Sequence, residues 1–266
     1  MRCLSCLVFT VAAALTTAVA ASQPPSPDTI PATGGEITIQ PLGHGSVHVR
    51  HGPHSIWVDV VGEGPPPPPG VTPKDPERAA ARLSRLRGLK PPTMILVTDI
   101  HGDHLDHHAI ATLRTATTAV LLPAAAAKNV TDAMVIANGE SRTVNGVTVE
   151  AVPMYNLQRG PQPGQLFHDK GRGNGYIVTL GGKRLYFAGD TECTPEMKAL
   201  TNIDVAFLPM NLPYTMTPLE AAECAKVFKP KIVYPYHYQG QDPKAFATAV
   251  EGSGIEVRLR NWYQKQ

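Results

Sequence analysis

Thr93-Met94-Ile95-Leu96-Val97-Thr98-Asp99-Ile100-His101-Gly102-Asp103-His104 is the stretch from which the rest of the chain can be read. Its first half is a short apolar run without polar alternation, the pattern of a strand buried on both faces. Its second half sets Asp99, His101, Asp103 and His104 within six residues, just past that strand, where a rigid backbone can turn several side chains inward. Carboxylates crowded in this way repel one another unless a cation lies among them. Imidazole and carboxylate are also the donor types that zinc, manganese and iron accept. The bland alternative for the segment is a solvated polar loop.

Upstream, Glu36–Gln40, Ser46–Arg50 and Ser55–Val60 alternate as successive strands, with Gly52-Pro53 as a turn, so the ordered chain opens as a β-meander. Pro65 to Pro69 forbid ladder hydrogen bonds and mark a loop. Residues 77–87 then carry apolar positions at helical spacing. Downstream the spacing predicts a helix over 107–116, a strand over 118–122, a hairpin at Asn145-Gly146, and another joining Tyr176–Leu180 to Lys183–Phe187 through Gly181-Gly182. Asp204–Leu208 and Lys231–Pro235 read as strands. Thr217-Pro218-Leu219-Glu220 reads as a capping box opening a helix, and a helix over 242–251 and a strand over 255–259 close the chain. Two β-rich halves with flanking helices, the second loosely repeating the first, predict an α+β fold, a four-layer αββα sandwich.

The chain has 266 residues and a net charge of +2 with histidine neutral. Nucleic acid is therefore not an expected partner, since phosphate backbones are bound by clustered positive charge. Residues 1–21 pair Arg2 with an apolar run ending in Ala18-Val19-Ala20-Ala21, the pattern of a secretory signal peptide. The expectation is export to a periplasmic or secreted location, with no stable membrane insertion after cleavage. Residues 22–34, rich in Pro, Ser, Thr and Gly, read as a flexible leader, and 35–266 as one domain. Cys193 and Cys224 either pair or stand apart as small buried side chains, because spacing alone does not show that they meet.

Histidine placement extends the opening motif. Of ten histidines, four lie between 44 and 54 and four between 101 and 108; only His168 and His237 stand alone, each in a loop next to a predicted strand. Ala188-Gly189-Asp190-Thr191 places a carboxylate at another strand end. With His101-x-Asp103-His104, these features resemble the metallo-β-lactamase fold superfamily, over nearly the whole chain after residue 21. Gly43–Ser46, Asp59, His168–Tyr176, Tyr186–Thr191 and Pro235–Tyr238 look most like the subgroup that contains the ascorbate-phosphate lactonases. The resemblance implies two divalent ions, with zinc the first choice and manganese or iron the alternatives. Asp99, His101 and His168 would hold one, Asp103, His104 and His237 the other, and Asp190 would bridge them. Asp99 departs from the commoner pattern, which has histidine there. Counting two dications, three carboxylates and one hydroxide, the core sums to zero instead of the +1 that histidine would give, which predicts a preference for harder ions.

The expected activity is hydrolysis by hydroxide shared between the two ions, at an ester, lactone, amide or phosphodiester bond of a small substrate. Asp103 and Asp190 are expected to orient the nucleophile, and a metal-bound water is the first choice to protonate the leaving group, with His44 and Tyr155 behind it. His48, His51, His54, His107 and His108 are expected at the surface. Asn156, Asn174 and 211–215 are expected to contact substrate or to cap loops. The competing readings are a non-catalytic metal-binding scaffold and a redox diiron protein, the latter disfavoured by the lack of any flavin-binding segment.

Overall fold

The protein is described here from a computed structural model, over residues 27–62, 76–128 and 130–263. The signal-like segment 1–21 and the proline run 65–69 lie outside the described residues. The first sheet runs, neighbour to neighbour, through β1 (Asp28–Ala32), β2 (Gly35–Gly43), β3 (Ser46–His51), β4 (His54–Val58), β5 (Met94–Leu96), β6 (Ala119–Leu122) and β7 (Met134–Val135). The second runs through β8 (Ser141–Val144), β9 (Val147–Met154), β10 (Gly173–Leu180), β11 (Lys183–Phe187), β12 (Val205–Pro209), β13 (Ile232–Tyr236) and β14 (Glu256–Val257). In each sheet four antiparallel strands come first and parallel strands follow. The loose repeat seen in the sequence is thus a repeat of topology.

Strand periodicity explains the layers. Met94 and Leu96 of β5 point between the sheets, where they join Ile39, Val49, Tyr176, Phe187 and Phe207. Ile95 and Val97 point the other way and pack with Trp57 against α1 (Pro76–Arg87) and α2 (His107–Leu113). An apolar run without alternation is what a strand covered on both faces requires. On the outer face of the second sheet, Tyr186, Ala206, Leu208 and Val233 pack against α3 (Pro195–Lys198), α4 (Pro218–Phe228) and α5 (Pro243–Ala249). The result is the αββα sandwich. Among the described residues no helix is long and apolar enough to cross a membrane.

The predicted capping box forms: Thr217 Oγ1 accepts from Glu220 N at 3.1 Å, and Glu220 returns the bond to Thr217 N at 2.7 Å. Several boundaries move. The leader is shorter than its composition predicts, because residues 28–32 pair antiparallel with β2 and bury Ile30. Pro31 is tolerated there since β1 is an edge strand. The strand expected to reach Val60 ends at Val58, where Asp59 turns left-handed at φ 50°. The 107–116 helix stops at Leu113, because Arg114 is extended. His48 is not at the surface: it is buried, its Nε2 lies 2.9 Å from Ser55 Oγ, and its ring packs on Trp57. His107 and His108 are exposed as expected. Cys193 and Cys224 form a disulfide that ties the loop after β11 to α4.

Candidate metal centre

Strand ends carry the site. Asp99, His101, Asp103 and His104 follow β5, Asp190 follows β11 and His237 follows β13, while His168 sits in the loop from β9 to β10. Backbone bonds from His104 N and Leu105 N to His101 O close the first segment into a turn. Gly189 N donates to Tyr236 Oη at 2.8 Å, which ties the end of β11 to that of β13. Gly189 takes φ +67°, and a Cβ there would stand 2.5 Å from Met154 Sδ, so only glycine lets this step pass under the site. Gly45 packs closely from the β2–β3 side, where a Cβ would lie 3.2 Å from the His237 ring and press on it.

The side chains form two groups, within each of which the potential ligand atoms lie within 4.8 Å of one another. In the first, His237 Nε2 lies 3.2 Å from Asp190 Oδ1 and 3.4 Å from Asp103 Oδ2. His104 Nε2 lies 3.4 Å from Asp190 Oδ2 and 3.8 Å from Asp103 Oδ2. In the second, Asp99 Oδ2 lies 2.7 Å from His101 Nδ1 and 3.7 Å from His168 Nε2. Asp190 Oδ2 is also 3.5 Å from His168 Nε2, so this one carboxylate touches both groups.

The residues fit a cation. Nε2 of His104, His168 and His237 and Oδ1 of Asp190 are buried without a hydrogen-bond partner. Each such atom costs about 1–3 kcal/mol if left unpaired, and all four converge. The far nitrogen of each ring is engaged. His104 Nδ1 lies 2.9 Å from Asp59 Oδ2, His168 Nδ1 lies 2.7 Å from Asn156 Oδ1, and His237 Nδ1 lies 3.3 Å from the Asn211 amide. Asp59 and Asn156 accept from Nδ1 of His104 and His168, which sets the tautomer and aims Nε2 inward, while the Asn211 amide nitrogen sits against the His237 ring. Burial pushes His168 down to about 4, against the pull of Asp190 and Asp99, so its ring is a neutral donor at physiological pH. Burial also opposes charge on His104, but the carboxylates of Asp190, Asp103 and Asp59 outweigh it and hold that ring well above its ordinary value. The same field that favours a proton on His104 favours a metal ion in its place.

His44 joins the site, with its Nε2 3.1 Å from Asp103 Oδ2 and its Nδ1 2.8 Å from Tyr263 Oη. His44, Asp59 and His237 all adopt positive φ, a concentration of strained backbone around one centre. Tyr155 is directed elsewhere: its hydroxyl donates to Glu196 at 2.9 Å, and Lys170 sits over its ring. Asn174 is buried and donates to Ile136 O, so it is a structural residue and not an open contact for substrate. Asn156 and Asn211 serve as partners of His168 and His237.

Arg172, Tyr263 and the tie from Asp59 to His104 were not found by sequence reasoning. Arg172 lies 73 positions from Asp99 yet holds it through Nε and Nη2, each at 3.2 Å. No spacing rule pairs residues so far apart; the nearest signal is that Arg172 falls within the His168–Tyr176 stretch quoted above. Its guanidinium also changes the charge count: the Asp99–Arg172 pair sums to zero, so a core of the two ions expected from the sequence would return to the +1 of the histidine pattern.

Comparison with known proteins gives a consistent family. Residues 38–237 match the family described as the β-lactamase superfamily domain. A protein of Deinococcus radiodurans named as a metal-dependent hydrolase is 28% identical over 233 residues, covering 84% of this chain and 96% of its own. The crystal structure of a candidate metal-dependent hydrolase from Parabacteroides distasonis is similar with a TM-score of 0.76 and 38% identity, covering 88% of this chain and 98% of that one. A Thermotoga maritima structure, described as a candidate zinc-dependent hydrolase of the metallo-β-lactamase superfamily, shares the fold with a TM-score of 0.53 at 18% identity, covering 84% of this chain and 97% of that one.

Proposed function

The chain belongs to the β-lactamase superfamily, and from that membership we propose that it is a metal-dependent hydrolase of a small ester, lactone, amide or phosphodiester. The observation that carries the reading is the convergence of four buried, unpartnered donor atoms on His104, His168, His237 and Asp190. Asp103, His104, Asp190 and His237 would hold one divalent ion, and Asp99, His101 and His168 a second, with Asp190 reaching both. Bound there, such ions supply Lewis acidity and bring the pKa of water toward neutrality. Four imidazoles and three carboxylates suit zinc first, and manganese or iron as harder alternatives.

The chain's own groups have distinct tasks. Asp103 and Asp190 are acceptors on the site's inner wall and orient the attacking water. His44, held between Asp103 and Tyr263, fixes the Asp103 carboxylate and is the candidate to hand a proton to the leaving group. Buried strands on either side keep these groups dry and fixed, which strengthens their electrostatic effect. The lactonase-like motifs put lactones first among the bonds to test. The signal-like pattern of residues 1–21 and the Cys193–Cys224 disulfide support export to an oxidising compartment; expression with the native start should give a mature protein beginning after Ala21.

The test is a panel with one chromogenic substrate per bond class, run with zinc, manganese and iron, with Asp190→Asn as the control. Turnover in one class, abolished by Asp190→Asn and by chelation, is expected. Stoichiometric metal with no turnover on any member would instead favour a metal-binding scaffold.

A further inference from the structure

The two groups of ligands differ in one respect that bears on metal content. In the group of Asp103, His104, Asp190 and His237, the inward nitrogens of both histidines and one oxygen of Asp190 lack hydrogen-bond partners. In the group of Asp99, His101 and His168, His168 Nε2 is the one buried atom left that way. Asp99 is fully buried, yet both of its oxygens are taken. Arg172 Nε lies 3.2 Å from Oδ1, Arg172 Nη2 lies 3.2 Å from Oδ2, and His101 Nδ1 lies 2.7 Å from Oδ2. His101 is 45% exposed, so water competes there for any ion. The arginine is itself anchored: its backbone N donates to Asp169 O just before β10, and its side chain is only 19% exposed.

A guanidinium keeps its charge at any pH the protein meets, and its planar fork matches a carboxylate. An ion entering beside Asp99 must either displace that fork or sit next to a fixed positive charge. Among the described residues no arginine or lysine pairs with the other group, where the partners of Asp103 and Asp190 are histidine rings that can give up a proton to an ion. We propose that Arg172 stands in for a second cation, so that the Asp103–His104–Asp190–His237 position fills first and tightly while the Asp99–His101–His168 position fills only weakly. The inference rests on the metal-dependent reading above and adds to it the order and number of ions. It also accounts for aspartate at position 99, since a histidine there would leave Arg172 without its partner.

Manganese titration of chelator-stripped full-length protein, followed by calorimetry and by electron paramagnetic resonance, tests this without any substrate. The wild type should bind one ion per chain tightly, with a mononuclear spectrum, and a second at least about tenfold more weakly. Arg172→Gln should tighten the second on the order of tenfold and bring in the spectrum of a coupled pair. Asp99→His should weaken the second ion further, and Asp99→His/Arg172→Gln should recover it. Should Arg172→Gln fail to fold, the wild-type stoichiometry and the double variant carry the same comparison. Two ions of equal affinity in the wild type, or a second affinity that Arg172→Gln leaves unchanged, would overturn the proposal while leaving a metal-dependent protein. No ion bound by the wild type would overturn that reading and this one together.

Discussion

Asp59 is buried at the end of β4 and makes three bonds that fix one ring. It accepts from Thr98 N at 2.8 Å, from Thr98 Oγ1 at 2.7 Å and faces His104 Nδ1 at 2.9 Å. The last contact decides which nitrogen of His104 points inward. Asp59→Ala should therefore weaken metal binding by about 10–100-fold, read by calorimetry, even though Asp59 is not among the ligands. Tyr155 illustrates the opposite case. Its place beside Asn156 suggests catalysis, yet its hydroxyl is spent on Glu196. Tyr155→Phe should cost about 1 kcal/mol in urea unfolding and leave kcat/KM nearly unchanged; a hundredfold loss of kcat at constant stability would return it to the catalytic set.

Within the elements, β3 and β4 hold a polar cluster that periodicity alone misplaces. His48 alternates with apolar neighbours and so falls on the outward face of β3, but α1 and α2 cover that sheet. Ser55 Oγ donates to Lys90 O and accepts from Trp57 Nε1, so the His48 ring donates to it from Nε2 and stays neutral. Burial, aided by Arg50 and Lys90, lowers its pKa to about 3 from the ordinary 6.5. The unfolded chain thus binds a proton that the folded chain refuses. The stability from neutral His48 is complete above pH 6.5 and is lost as the pH falls toward 3. In urea unfolding of chelator-treated protein at a series of pH values, His48→Leu should flatten the slope over that window by up to about 1.4 kcal/mol per pH unit. The disulfide acts on a neighbouring element. It closes a loop of 31 residues between the end of β11 and α4, so Cys193→Ser/Cys224→Ser should lose about 2–4 kcal/mol, measured against the oxidised protein.

Across the whole molecule, the first sheet supplies Asp103 and His104 and the second supplies Asp190 and His237. An ion at that point cross-links the two halves of the sandwich. At a hundredfold excess over its Kd it adds about 2.7 kcal/mol to the folded state. For a domain of this size that raises Tm by about 5–10 °C. Thermal scans with and without chelator should show that shift in the wild type and lose it in His104→Ala. The sequence by itself determined the sandwich, because strand alternation, an unalternated buried strand and a capping box are local patterns set by backbone geometry. It also marked the Asp99–His104 cluster as a candidate metal segment, and resemblance to the metallo-β-lactamase superfamily added His168, Asp190 and His237; the structure gathers these seven into two groups. Only the tertiary structure decided which partners flank them. Arg172 on Asp99, Tyr263 on His44, the burial of His48 and the pairing of Cys193 with Cys224 all join residues far apart in the chain. Such contacts arise from how two sheets and their covering helices pack, which no local pattern of residues encodes.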